Sequence, residues 1–227
     1  YGTNNILKLA IKYNIENFVL ISTDKAVEPT NNMGLSKRMA EFLAYYHSSA
    51  SNTKMSVVRF GNVIGSSGSV LNHFAELIKN KKDIVVTHPK VSRFFMSIKE
   101  ACYLVLRSVQ STEKNYQVFM LDMGKEILIK DIAERLILLS GLSLGKDINI
   151  KFSKLEKGEK IREKLSYSFE TALPSDTSKL VKLNSSNNID NDSFSEIISD
   201  LEDKIYDKDI SDNKIISYLN DYFKELI

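Results

Sequence analysis

The sequence predicts an α/β fold with a mostly parallel sheet. Three observations predict it. Short apolar runs bounded by turn residues recur at 18–21, 56–60, 84–87 and 118–121. Between them lie segments whose apolar residues fall at helical spacing. The two kinds alternate along 2–139, the pattern of strand–helix–strand units with parallel strands.

Residues 2–13 place Ile6, Leu7, Leu9, Ala10 and Tyr13 on one helical stripe, and Asn14 stops it. Phe18–Ile21 is a continuous apolar run, expected as a strand buried on both faces. Pro29, Asn31 and Asn32 form a loop, and a helix is expected over 33–48. Ser56–Phe60 reads as the next buried strand. Residues 61–68, rich in glycine and serine, read as a loop before a helix over 70–79. A strand at 84–87, a helix at 98–109 and a strand at 118–121 follow. A helix at 129–139 is closed by Gly141, and 148–152 alternates like a strand. Residues 184–195, rich in Asn, Ser and Asp, read as a linker. Residues 196–227 read as an acidic amphipathic helical tail, with Ile197, Ile198, Leu201 and Leu219 among its apolar positions, docking on the body or on a partner.

The chain has 227 residues, 43% of them hydrophobic, and a formal charge of +2. That balance offers no electrostatic case for nucleic acid or an acidic membrane surface. No run is apolar and long enough to form a membrane segment. Cys102 is the single cysteine, which excludes an internal disulfide; it lies in an apolar helical stretch and is expected to be buried. The lone cysteine fits a reducing compartment, so a cytoplasmic location is expected, at the inner face of the membrane as the alternative for a full-length parent; the chain opens at Tyr1 inside a helical pattern, so a portion of a longer polypeptide is expected.

Ligands of parallel α/β sheets bind at the carboxyl ends of the strands. Ser22–Lys25 follows one apolar strand and Gly61-Asn62 follows another, so both should line one crevice. A carboxyl (Asp24) and an amine (Lys25) held side by side there can divide acid and base work; the plainer reading is a surface ion pair. Lys37 stands on the following helix, where a lysine is ordinarily solvated. Ser66, Ser67 and Ser69 with Gly65 and Gly68 could cradle phosphate at a helix start, or simply connect two elements. Arg59, His88 and Arg93 are candidates to neutralise a diphosphate. His47, His73 and His88 have no ligand spacing, so no metal is expected. There is no nucleophile elbow of a serine hydrolase.

The segment Ser22–Glu41 closely resembles the signature of CapD-like polysaccharide-biosynthesis proteins, nucleotide-sugar 4,6-dehydratases of the extended short-chain dehydrogenase superfamily. Arg59–Val70 resembles a second block of that family, and Thr87–Pro89 with Arg93–Ile98, Glu100 and Ala101 a third. Gly158-Glu159-Lys160 with Glu163 and Leu165 is a weaker fourth. The likeness covers 1–183 and implies that this span is a partial domain of the superfamily, α/β, the C-terminal part of a Rossmann-like parallel sheet (its second half) with a smaller substrate-binding subdomain.

The resemblance implies NAD as cofactor and a UDP-linked N-acetylhexosamine, UDP-N-acetylglucosamine first, as substrate, in the making of a surface polysaccharide such as a capsule. It implies oxidation at C4, loss of water across C5 and C6, and return of the hydride to C6, leaving the cofactor unchanged. Carried over by position, Lys25 takes the C5 proton, Asp24 protonates the departing C6 hydroxyl, and Thr23 binds the sugar at C4. Lys37 holds the nicotinamide ribose, with Ser22, Phe60, Gly61, Asn62 and Val63 also at the cofactor. Asn62, Ser67, Ser69, Val70, Arg93 and Glu159 are implied at the substrate. Met33 occupies the place of the superfamily's catalytic tyrosine, and a thioether cannot act as a base. C4 deprotonation then falls to Asp24, Lys25 or a water held by Thr23.

Two departures stand out. Glu156-Lys157 replaces the family's usual Arg-Pro, and no glycine-rich strand–turn–helix precedes Tyr1, so an N-terminally truncated portion is expected. A UDP-sugar 4-epimerase, or an inactive fragment keeping only substrate contacts, are the alternatives. The resemblance also implies a homo-oligomer paired through the helices at 1–13 and 33–48, and a membrane segment ahead of the domain in many members of the family.

Overall fold

The computed structural model describes residues 2–66, 68–185, 191–206 and 210–225. Helix α1 (Gly2–Lys12) leads into strand β1 (Asn17–Thr23), a short 3₁₀ turn (Asp24–Ala26) and helix α2 (Asn32–Ser49). Strands β2 (Lys54–Phe60) and β3 (Asn62–Ile64) precede helix α3 (Val70–Lys79). Strands β4 (Ile84–Val86), β5 (Ser92–Arg93) and β6 (Phe95–Ser97) then reach helix α4 (Ile98–Ser111). Next come β7 (Tyr116–Leu121), β8 (Ile127–Leu128), helix α5 (Ile129–Leu139) and β9 (Ile150–Phe152). The chain continues through β10 (Glu170–Pro174), β11 (Leu180–Ser185) and two helices, α6 (Asn191–Tyr206) and α7 (Asp212–Glu225).

The main sheet has five strands in the order β1-β2-β7-β11-β10. β1, β2 and β7 run parallel, and β11 and β10 add antiparallel neighbours. Pleating sends alternate residues to opposite faces. Met55 and Val57 of β2 join Leu7, Ala40 and Ala44 beneath α1 and α2, while Val58 joins Ala101 and Leu104 of α4 on the other face. A second lobe packs α3 against α5 and the parallel pair β4–β9, around Phe74, Ile84, Ala133, Ile137 and Ile148. Helices α6 and α7 lie on α2, where Phe194, Ile197 and Leu201 meet Met39 and Phe42.

Local chemistry explains the helix starts nearest the crevice. Asn31 caps α2 by accepting Gly34 N–H at 2.9 Å, Ser69 caps α3, and Ser97 caps α4. Gly34 is obligatory, because a Cβ there would sit 2.2 Å from the Lys25 carbonyl oxygen.

The fold class is as the sequence predicts, with corrections in detail. β1 is not buried on both faces: among the described residues its one neighbour in the sheet is β2, and Ile21 is 41% exposed. The 61–68 loop contains β3, which pairs with β6. Cys102 is exposed: α4 buries Ala101, Leu104, Ser108 and Ser111, and Cys102 lies about a quarter turn away from that stripe. Of the linker expected at 184–195, Asn184 and Ser185 belong to β11 and 191–195 to α6, and 186–190 lie outside the described residues.

Candidate active site

β1 and β2 are in parallel register, Thr23 beside Phe60, so the segments that follow them open at the same end of the sheet. The 3₁₀ turn starts because Thr23, in extended conformation, accepts the Lys25 N–H on its Oγ1 at 3.4 Å. The Thr23 hydroxyl donates to Asp24 Oδ1 at 2.9 Å, and Lys25 Nζ donates to the same oxygen at 2.9 Å. Lys25 Nζ also reaches Asn62 Oδ1 at 3.4 Å, which ties the two strand ends together.

Asp24 has no exposed surface, and its Oδ2 has no hydrogen-bond partner. An unmet buried polar atom costs about 1–3 kcal/mol, more when charged, so an unpartnered carboxylate oxygen at a strand end sets Asp24 apart from the paired acids of the core. Gly61 makes room for it: a Cβ there would stand 2.9 Å from Asp24 Oδ2, 3.1 Å from Phe94 Cβ and 3.3 Å from Met123 Sδ. The Gly61 N–H itself points to Met123 Sδ at 2.9 Å. Lys25 keeps a quarter of its side chain exposed beside the buried acid. The arrangement thus offers an acid with a free oxygen, a partly exposed amine and a hydroxyl, all joined through one carboxylate oxygen.

Lys37 follows Met33 by one helical turn, so the two share a face of α2. Met33 is 46% exposed, and Lys37 Nζ donates to the Ile21 carbonyl at 3.2 Å. Phe60 and Val63 are half-buried against the α4-side core, and the Asn62 N–H is held by Phe94 O at 3.0 Å.

The other expected site residues are placed differently. The Ser22 hydroxyl is buried and donates to Glu41 Oε1 at 2.5 Å, on the far face of β1. Ser69 is the cap of α3, Val70 packs against the second lobe's core, and Ser67 lies outside the described residues. Arg93 is 8% exposed and donates to Ser92 O at 2.8 Å, Ile161 O at 3.3 Å and Glu159 Oε1 at 3.4 Å. Glu159 in turn accepts the Thr87 hydroxyl at 2.8 Å.

Arg59, a candidate for diphosphate, has no exposure at all. Its guanidinium is shared between Glu41 (2.8 and 2.7 Å) and Glu170 (3.0 and 2.8 Å), so it holds the fold and not an anion. Arg38 adds a further bond to Glu41 at 2.7 Å. Burial opposes ionisation of Glu41, but Arg59, then Arg38 and the Ser22 hydroxyl, outweigh it and hold its carboxyl down at about 2. Burial likewise opposes the Arg59 charge, and Glu41 and Glu170 override it, raising Arg59 above the ordinary arginine range. This cluster escaped the sequence reading, though an arginine inside an apolar strand signals a buried partner. Among the described residues no group of three or more His, Cys, Asp and Glu could hold a metal, and no helix is long and apolar enough to cross a membrane.

Known proteins bear on this site. A family model described as polysaccharide biosynthesis protein matches residues 1–185. The capsular polysaccharide biosynthesis protein CapD of Staphylococcus aureus is 45% identical over 165 residues, 72% of this chain and 27% of that protein. A UDP-glucose 4-epimerase of Rickettsia canadensis (strain McKiel) is 44% identical over 108 residues, 46% of this chain and 32% of that enzyme. Among solved structures, Pen from Bacillus thuringiensis aligns with a TM-score of 0.70 at 30% identity, covering 88% of this chain and 66% of that one. The chain therefore spans only part of the length of its relatives.

Proposed function

The chain belongs to the polysaccharide biosynthesis protein family, and on that premise we propose that the whole protein is an NAD-dependent nucleotide-sugar 4,6-dehydratase acting on a UDP-N-acetylhexosamine. The observation that carries this reading is Asp24: a fully buried carboxylate with one oxygen bound to Thr23 and Lys25 and the other unpartnered beside Gly61. Oxidation at C4 alone needs no acid for a leaving group at C6. An acid paired with an amine is what elimination of water needs.

The residues present fit the nicotinamide end of a dinucleotide. Lys37 Nζ lies 3.2 Å from the Ile21 carbonyl, two residues before Thr23 on β1, from where it would bind ribose hydroxyls. When bound, NAD would supply the acceptor for the C4 hydride and its donor to C6. The chain's own residues do the rest. Thr23 binds the C4 hydroxyl and, through its 2.9 Å bond, passes the released proton toward Asp24. Lys25, reacting as the neutral amine, removes the C5 proton, which the C4 ketone acidifies, and returns it to C5 at the end. Asp24 gives a proton to the C6 hydroxyl, which leaves as water. Asp24, a carboxylate at rest, takes up the proton of the C4 hydroxyl before it gives one to the C6 oxygen, so acid and base end as they began. Asn62 would hold the Lys25 amine at the end of β2, and Met33 would contribute contact but no proton transfer.

The 4-epimerase reading remains the second one, favoured by the 44% identity to the Rickettsia enzyme. Incubation of the whole protein with UDP-N-acetylglucosamine and NAD separates the two. A product lighter by one water that absorbs in alkali as a 4-keto sugar is expected; a C4 epimer of unchanged mass would sink the dehydratase.

A further inference from the structure

The family block Gly158-Glu159-Lys160 turns inward, onto the protein. Lys160 Nζ donates to Val27 O at 2.7 Å, and the Tyr167 hydroxyl donates to Ala26 O at 3.0 Å. These are two consecutive carbonyls directly after Asp24-Lys25, on residues with no exposed surface. The contact is reciprocated. Thr30 and Asn31 donate side-chain bonds to Gly158 O at 2.6 and 3.3 Å, and Lys164 pairs with Glu28 at 2.7 Å. Gly158 has φ +80°, and a Cβ on it would lie 2.5 Å from Thr30 O, so no side chain fits. The next residue, Glu159, faces the other lobe through Thr87 and Arg93, and Ile161 O accepts the Ser92 N–H at 3.0 Å.

We propose that residues 156–170 form a strap that positions the Asp24–Lys25 turn against the second lobe, with Lys160 and Tyr167 as positioning residues for the reaction. The turn is three residues long and closes on itself through the Val27 N–H to Asp24 O at 3.1 Å and the Lys25 N–H to Thr23 Oγ1 at 3.4 Å. Its backbone direction, and with it the aim of Asp24 Oδ2 past Gly61, is set by donors from outside. Lys160 is itself steadied by Glu163, 3.6 Å away and buried. A hydroxyl and an ammonium that both address backbone carbonyls read the position of the turn, whatever side chains it carries.

The catalytic half of this proposal rests on the dehydratase reading, and the test keeps the two apart. Hydrogen exchange is measured on this chain as wild type, Tyr167→Phe, Lys160→Met and Lys160→Arg. The Val27 amide is expected to exchange about fivefold faster in Tyr167→Phe and about tenfold faster in Lys160→Met, in line with loss of a neutral and of a charged hydrogen bond. Amides of β2, β7 and α5 stay unchanged, and Lys160→Arg restores most of the protection. In the whole protein the same variants lower kcat by similar factors and leave KM for the sugar nucleotide unaltered. Unchanged exchange at Val27 overturns the strap, as does acceleration shared by β2 and β7. Faster exchange with full kcat overturns the positioning role. Should the wild type form no 4-keto sugar, the dehydratase reading fails, and the exchange data alone decide the strap.

Discussion

Asp24–Lys25 and Glu41–Arg59 are both acid–base pairs anchored on β1, β2 and their following helix, and both carboxylates have no exposed surface. Their bonding differs completely. Glu41 receives Ser22 and Arg59 Nε on one oxygen, and Arg38 and Arg59 Nη2 on the other. Asp24 receives Thr23 and Lys25 on Oδ1 and nothing on Oδ2. Strand pleating separates them: Ser22 faces α2, and the chain after Thr23 turns into the crevice. A saturated pair has no valence left for a ligand and serves the fold. A pair with an unpartnered oxygen and a partly exposed amine has hydrogen-bonding capacity that the fold leaves unused. Charge and burial alone would rank the two alike; counting donors distinguishes them.

The sharpest way to break this contrast is to remove Arg59. Arg59→Met leaves Glu41 with fewer donors and takes both side-chain bonds from Glu170, so a loss of about 3–5 kcal/mol is expected by denaturant unfolding. A loss below about 1 kcal/mol would mean that the cluster is not what joins β2 to α2 and β10. Acid probes the same cluster. Glu41 titrates at about 2 in the fold against an ordinary 4.5, so between those values the unfolded chain binds more protons. Its contribution of about 3 kcal/mol is complete above pH 4.5 and is lost as pH falls toward 2. Unfolding free energies measured across that window should fall accordingly, and Glu41→Gln should flatten the slope.

How much of this was legible in the sequence follows from the range of each interaction. Helices α3 (70–79) and α5 (129–139) match their expected bounds, because local periodicity and a nearby stop define them. Thr23, Asp24, Lys25 and Asn62 meet as the carboxyl-end rule for parallel strands expects, since the register of β1 and β2 brings their ends level. β10 and β11 went unread. β10 is exposed along most of its length and shows no apolar alternation, and its pairing is decided by β11. Long charged side chains were the least legible: Arg59 finds Glu170 across 111 positions, and Arg93 finds Glu159 across 66. Nothing near Arg59 or Arg93 in the sequence distinguishes a guanidinium bound to its own protein from one waiting for phosphate.

The smallest expected effect is the most discriminating for the open pair. Asp24→Asn keeps the shape of the side chain and an oxygen to accept Thr23 and Lys25, and it places an amide nitrogen where Oδ2 now lacks a partner. The ion pair that is lost involves a lysine one-quarter exposed, where solvent screening limits its worth to about 1 kcal/mol or less. Removing a buried charge offsets part of that cost. Unfolding stability should therefore stay within about 1 kcal/mol of wild type, set against the several kcal/mol expected for Arg59→Met. Formation of a 4-keto sugar by the whole protein should vanish, because an amide cannot deliver a proton to the leaving hydroxyl. A large drop in stability in Asp24→Asn would assign Asp24 to the fold, on the same footing as Glu41, and would remove the observation on which the dehydratase reading stands.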